Sequence, residues 1–206
     1  MAKEQEEADD TRERLLNAAI EQFAERGFYG ASIAQIAGEL DLTKQALLYY
    51  FRRKEDLYSE VLRRIADRML NAMRSAAKRD DTPQKQFEDM MLALYEEAKD
   101  YRPGTSILMR ELLDNQRSLA PEETWYFRPF LNELVAQLDR VEALEAQPFS
   151  HKLARVYQLM SSIEYFAAST QVIERMYSAD ELAQVLEVYP TILTQQIRQV
   201  FEQGKA

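Results

Sequence analysis

Residues 42–54 combine cations and aromatic rings without a single acid, in a chain whose formal net charge is −9. The cations of this stretch are Lys44, Arg52, Arg53 and Lys54. An acidic chain has no general reason to keep such a segment. A surface that binds DNA does, because phosphates must be met by cations and hydrogen-bond donors where they touch the protein. We interpret residues 42–54 as a candidate DNA-binding surface.

The segments around this stretch predict three helices. Ser32 opens a capping-box pattern with Gln35, and apolar residues follow at helical spacing. Thr43 can cap a second short helix that ends near Phe51. A longer helix precedes both, and we expect it to end at Gly27, which suits left-handed backbone. Two short helices joined by a tight turn, the second with polar residues at its start, indicate a helix-turn-helix.

The run from Thr11 to about Leu57 resembles the DNA-binding domain of the TetR family of bacterial repressors. The resemblance is carried by an ordered set: Ala18-Ala19, Phe23, Gly27-Phe28, Ser32, Ile36-Ala37, Leu42-Thr43-Lys44, Leu47, Tyr49-Tyr50-Phe51 and Lys54-Glu55-Asp56-Leu57. It implies an all-α fold of about nine helices, in which a three-helix DNA-binding domain precedes a helical domain for ligand binding and dimerisation. The expected division is a disordered acidic tail at 1–10, the helix-turn-helix domain at 11–56 and the second domain at 57–206.

Three positions depart from the family pattern. Asp41 stands where Gly is usual, and Asp tolerates left-handed backbone well enough to keep the turn. Gln45 replaces a common Gly and can pair its amide with adenine. Leu48 stands where a phosphate-contacting Tyr is frequent, so we expect that contact to be missing or to come from Tyr49 or Tyr50.

The predicted DNA contacts fall into two groups. Base edges are assigned to Lys44 and Gln45, with Ala46 able to touch a thymine methyl. Phosphates are assigned to Ser32, Thr43, Tyr49, Tyr50 and Lys54. The role of Lys54 is implied by the resemblance, and its place at a helix N-terminus also favours an anion. For Tyr49, packing in the core is an equal alternative. The acidic residues before Thr11 are expected to add nothing to DNA affinity.

Beyond residue 57 the pattern is helical throughout. A long helix to about Lys78 is expected to connect the two domains. The last two helices, about 150–177 and 180–203, are apolar on more than one face, so they must pack on something besides their own subunit. In the family these helices form an intersubunit four-helix bundle, and the resemblance therefore implies a homodimer. A dimer also suits a palindromic DNA site.

The second domain is rich in methionine and aromatic residues, which line adaptable pockets but also fill cores. The resemblance favours a pocket for a small-molecule effector of unknown identity. Candidate lining residues are Met90, Met91, Tyr95, Met109, Leu113, Trp125, Tyr126, Phe130, Tyr157 and Phe166. Arg110 and Glu164 lie in apolar stretches and could orient a polar group of that ligand, although pairing within the protein or at the dimer interface is the simpler expectation.

The sequence argues against catalysis. The chain has a single histidine, His151, and no cysteine, so it lacks the Glu-x-x-His pairs of a di-iron site and thiolate ligands for a metal. No nucleophile elbow or P-loop is present. We expect no cofactor, no metal, no membrane span and a cytoplasmic location.

These observations predict a ligand-responsive transcriptional regulator, a repressor released from a palindromic operator by a small apolar or amphipathic effector. Two alternatives stay open. One is a DNA-binding dimer without an effector, and the other is a corepressed or activating regulator.

Overall fold

The computed structural model describes residues 2–113 and 126–202, with side chains from residue 7 onward. All regular structure in these ranges is helical, which confirms the predicted all-α fold. The helices are α1 (Ala2–Gly30), α2 (Ile33–Gly38), α3 (Lys44–Tyr50), α4 (Lys54–Ala76), α5 (Pro83–Asp100), α6 (Arg102–Leu113), α7 (Phe127–Asp139), α8 (Phe149–Met176) and α9 (Ala179–Glu202), with a short 3-10 turn at Glu142–Leu144.

The chain divides into two compact units. The N-terminal unit comprises residues 2–65 and 106–113 of the described chain, and the C-terminal unit comprises residues 66–105 and 126–202. This division differs from the predicted boundary at 57. The first turns of α4 belong to the N-terminal unit because Tyr58 packs edge-on against Phe23 of α1, with ring centroids 4.8 Å apart. The last turns of α6 join the same unit, where Glu111 accepts a hydrogen bond from Tyr58 Oη at 3.0 Å.

The core of the N-terminal unit lies where the first three helices meet α4. Its buried side chains include Leu16, Ile20, Phe23, Ile36, Leu47, Phe51 and Leu57, each at most 4% exposed. Burying an aliphatic or aromatic side chain of this size contributes roughly 1.5–3 kcal/mol. This small core therefore fixes α3 in place and determines which of its faces points outward.

Helix α1 departs from one expectation and meets another. The helix begins at Ala2, so residues 2–10 are not a disordered tail. They include three Glu and two Ala, contain no Gly or Pro, and so favour helix. Regular helical backbone is interrupted at Gly27, as the sequence predicted: with φ 68° and ψ 177° this residue forms a kink, after which a short helical segment runs to Gly30. That combination is open almost only to glycine.

The C-terminal unit is a set of helices packed around α5 and α8. Helix α8 packs against α5, α7 and α9, and α5 also packs against α7 and α9. The interior contains Phe87, Met91, Leu94, Leu134, Leu138, Val156, Ile163, Leu193 and Ile197. Thr82 caps α5 by accepting from Lys85 N–H at 3.3 Å, and Pro83 occupies its first turn.

No helix in the described ranges combines the length and the apolar character that a membrane span requires.

Candidate nucleic-acid interface

The turn before α3 sets the direction of that helix. Asp41 has φ 58°, so it adopts the left-handed backbone predicted for it. Leu42 N–H returns to Ala37 O at 3.0 Å and closes the turn. Thr43 then caps α3, since its Oγ1 accepts from Ala46 N–H at 3.1 Å. The predicted cap is confirmed, and these local contacts hold the first turn of α3 at the surface.

One face of α3 is buried and the other is exposed. Leu47 is 0% exposed and anchors the inner face. Lys44 and Gln45 are exposed at the start of the helix, and Ala46 is half-buried beside them. A lysine and a glutamine at the N-terminal end of an outward-facing helix are suited to reading base edges in a major groove.

The two tyrosines at the end of α3 differ in exposure. Tyr49 is 84% exposed, so the alternative of core packing for this residue is wrong. Tyr50 is half-buried and meets Tyr49 edge to face, with ring centroids 5.4 Å apart. Their hydroxyls can donate to phosphate oxygens on the same side of the helix.

Ser32 stands at the N-cap of α2 but its side chain makes no capping hydrogen bond. The capping box predicted between Ser32 and Gln35 is therefore not formed. Ser32 is half-buried, and the N-cap position has extended backbone with φ −120° and ψ 131°. Its hydroxyl is not engaged in capping α2, which leaves it suited to a phosphate contact.

Two of the cations that follow α3, Arg53 and Lys54, are engaged within the protein. Lys54 Nζ donates to Ala31 O at 2.6 Å and lies 4.6 Å from the centre of the Phe28 ring. This contact ties the start of α4 to the connection between α1 and α2. Arg53 pairs with Asp56 at 2.7 Å, and this partner raises the pKa of the guanidinium above its usual value. No pattern in the sequence indicates the bond from Lys54 to a carbonyl 23 residues away.

The candidate pocket residues do not form one group. Met90, Met91, Tyr95, Phe130 and Phe166 are buried in the C-terminal unit. Met109 and Leu113 belong to the N-terminal unit, where Leu113 is 78% exposed and borders a cleft of about 360 Å³ with Tyr58 and Arg110. Trp125 lies outside the described residues, and Tyr126 is half-buried at the N-cap of α7.

Tyr157 was expected in the pocket but lies on the outer face of α8, 49% exposed. Three other exposed apolar residues lie on this face of α8, and three more lie on one face of α9. On each helix the residues are spaced by about one or two helical turns, so their side chains point to the same side. The residues are Tyr165, Val172 and Met176 on α8, and Val185, Val188 and Ile192 on α9. Exposed apolar surface of this extent indicates an interaction site. We name it the α8/α9 face.

The two charged candidates for ligand contact are placed differently. Arg110 is exposed in the N-terminal unit and donates to Glu25 O at 3.3 Å, beside the kink at Gly27. It therefore pairs within the protein, as the simpler expectation had it. Glu164 is 5% exposed in the C-terminal unit, and its Oε2 has no hydrogen-bond partner.

The match to a known protein family lies within the N-terminal unit. Residues 15–61 match the family described as bacterial regulatory proteins, tetR family. The transcriptional regulator RutR of Escherichia coli K12 is 31% identical over 122 residues, which are 59% of this chain and 57% of RutR. The matched region thus spans just over half the length of that relative. The transcriptional repressor NicS of Pseudomonas putida is 24% identical over 190 residues, covering 86% and 85% of the two chains.

Solved structures extend the likeness in fold to nearly the whole chain. The transcriptional regulator FadR of Bacillus subtilis, solved with stearoyl-CoA, superposes with a TM-score of 0.70 at 14% identity, covering 89% of this chain and 96% of that one. A regulator from Streptomyces coelicolor, SCO4942, gives 0.69 at 19% identity, covering 92% and 97%. The helix-turn-helix region at residues 15–61 therefore matches the tetR family of bacterial regulatory proteins, and the described chain shares its fold with TetR-like regulators.

Proposed function

We propose that the protein is a ligand-responsive transcriptional repressor that binds a palindromic operator as a homodimer. The observation that carries the proposal is the outward face of α3, where Lys44 and Gln45 follow a capped N-terminus in a domain that matches the tetR family. A regulator of this kind acts on the bacterial chromosome, so the proposal places it in the cytoplasm.

Base recognition is assigned to the first turn of α3. Gln45 can donate to N7 and accept from N6 of one adenine, which is a bidentate contact that distinguishes that base pair. Lys44 can donate to guanine O6 or N7, and the methyl of Ala46 can touch a thymine methyl. Leu47, which is buried, orients this turn without contacting DNA.

Phosphate contacts are assigned to Ser32, Thr43, Tyr49 and Tyr50, which flank the reading face. Lys54 completes the set at the N-terminus of α4, where the helix dipole favours an anion. Its bond to Ala31 gives it a second role, because it holds α4 against the connection that carries Ser32. Phosphate contacts fix the register of α3 in the groove but carry no sequence information.

Dimerisation is assigned to the α8/α9 face. A two-fold dimer buries the same patch on both subunits, so one self-complementary apolar surface is sufficient. It also sets the separation of the two α3 helices, which must match half-sites roughly 34–36 Å apart or a multiple of this.

Effector binding is assigned to the interior of the C-terminal unit. Met90, Met91, Tyr95, Phe130 and Phe166 provide soft and aromatic surface there. Helix α4 continues from one unit into the other, so a shift of this helix can link the effector to α3. The effector changes DNA affinity only if it binds the two states unequally.

The experiment is selection of binding sites from random duplex DNA, followed by titration of the selected duplex with the protein. The proposal requires a two-fold symmetric consensus and one dimer per pair of half-sites. Failure to enrich any sequence would refute it. An activator is the second candidate function, because one relative, FasR of Mycolicibacterium smegmatis, is a transcriptional activator. Transcription in vitro from the selected site separates repression from activation.

A further inference from the structure

Three charged side chains are buried in the described part of the C-terminal unit, and two of them have ionic partners. Glu88 is 6% exposed and accepts from Arg198 Nε at 2.7 Å. Lys152 is 3% exposed, pairs with Asp139 and donates to Glu145 O at 3.2 Å. Arg198 lowers the pKa of Glu88 below its usual value. Glu88 and Lys152 are thus each buried next to a side chain of opposite charge.

Glu164 is the exception among the three. It is 5% exposed, and its Oε2 has no partner among the described residues. Burial alone raises the pKa of this carboxyl to about 7. An unpaired buried carboxyl is destabilising relative to one that is hydrogen-bonded, so its presence requires a reason.

The surroundings of Glu164 are apolar. Met160 and Ala167 lie one turn before and one turn after it on the same side of α8, and both are buried. Helix α8 is itself packed against α5, which carries Met90, Met91 and Tyr95. This unit thus contains one buried carboxyl oxygen without a hydrogen-bond partner, on a helix that packs against soft apolar side chains.

We propose that Glu164 is the counter-charge for the cationic group of an amphipathic organic effector. The proposal rests on the proposed function, because the ligand is taken to be the molecule that changes DNA affinity. The apolar part of the ligand would pack among the methionine and aromatic side chains, and its cationic group would supply the partner that Glu164 lacks. The Coulomb attraction within a charge pair is stronger away from water than at the surface.

A metal ion is a poorer fit for this site. In the described ranges, no group of three or more His, Cys, Asp or Glu side chains is placed to hold one. Divalent cations take several oxygen or nitrogen ligands, whereas an alkylammonium group is satisfied by one carboxylate and apolar or aromatic contacts. The chemistry of the site therefore favours an organic cation.

The test is isothermal titration calorimetry of the full chain with three probes of equal chain length: decyltrimethylammonium, 1-decanol and decanoate. The wild-type protein should bind the cation, and should bind it more tightly than the alcohol or the acid. Glu164→Gln should weaken binding of the cation by about 30-fold or more, because one partner of a buried charge pair is lost. The same variant should leave binding of the alcohol unchanged or improve it.

Glu174→Gln is the matched control, since Glu174 lies on the same helix but is exposed. It should bind all three probes as the wild-type protein does. Equal affinity for cation and alcohol, unchanged cation affinity in Glu164→Gln, or no binding of the cation by the wild-type protein would each overturn the proposal.

Calorimetry needs no DNA, so the outcomes separate the two proposals. Cation binding that depends on Glu164 but leaves affinity for the selected duplex unchanged supports the site and contradicts ligand control of DNA binding. Selective DNA binding by a protein that ignores the charge of the probe supports the regulator and contradicts the cation site.

Discussion

Replacing Glu164 by Gln should change how the stability of the protein depends on pH. Burial raises the pKa of Glu164 from 4.5 to about 7 in the folded chain. Because the folded state favours the protonated form, Glu164 imposes no penalty below pH 4.5. The penalty grows as the pH rises from 4.5 to about 7 and is constant above that. Gln resembles the protonated carboxyl in shape and cannot ionise.

The magnitude follows from the size of the shift. One pKa unit corresponds to about 1.4 kcal/mol, so a shift of roughly two and a half units corresponds to about 3 kcal/mol. We expect Glu164→Gln and the wild-type protein to have similar free energies of unfolding at pH 4.5. At pH 8 the variant should be more stable by about 3 kcal/mol.

The assay is urea unfolding of both proteins between pH 4.5 and 8, at one protein concentration because dimerisation adds to apparent stability. The difference between the two free energies of unfolding at each pH contains no contribution from the other titrating groups, because both proteins share those groups. Glu174→Gln should track the wild-type protein across the range. A difference between Glu164→Gln and wild type that stays constant with pH would refute the claim that Glu164 is buried without a partner.

Three further predictions concern the fold, the DNA-binding domain and the dimer. Gly27→Ala should lower the free energy of unfolding by about 1–3 kcal/mol, because Ala rarely adopts a backbone with φ 68° and ψ 177°. Gly38→Ala is the control: there is open space for the added methyl, so the melting temperature should not fall. Lys54→Met should lower the free energy of unfolding by about 1–2 kcal/mol, because the hydrogen bond to Ala31 O is lost. It should also weaken binding to all DNA sequences alike, because a phosphate contact is lost. An unchanged melting temperature would contradict the predicted loss of stability. Val172→Asp places a charge on the α8/α9 face, so light scattering should show monomers. Tyr29→Asp changes an exposed aromatic residue outside that face and should leave the dimer intact. A Val172→Asp protein that is still dimeric would exclude this face as the interface.

The sequence predicted the features that depend on local rules. The Thr43 cap and the left-handed Asp41 are set by residues a few positions away, so pattern alone identified them. The predicted bounds of the last two helices agree with the structure to within one or two residues, because long apolar helical patterns with Pro148 and Ala179-Asp180 at their starts leave little choice.

The features that sequence analysis missed depend on contacts between distant residues. The bond from Lys54 to Ala31 joins two elements whose proximity is known only from the fold. The pocket prediction grouped Leu113 and Tyr157 with buried residues because hydrophobicity does not report which face of a helix is covered. Glu164 stood out in an apolar stretch, but only the packed structure shows that Oε2 lacks the partner that Glu88 finds in Arg198.

The most direct test of the central claim is parallel selection of DNA sites by the wild-type protein and by Gln45→Ala. We predict a two-fold symmetric consensus for the wild-type protein. Gln45→Ala should enrich the same consensus with preference relaxed at one base pair in each half-site, at a cost of about 1–3 kcal/mol for that base. Identical consensus sequences would contradict the reading role of α3, and the absence of any consensus for the wild-type protein would contradict the assignment as a sequence-specific regulator.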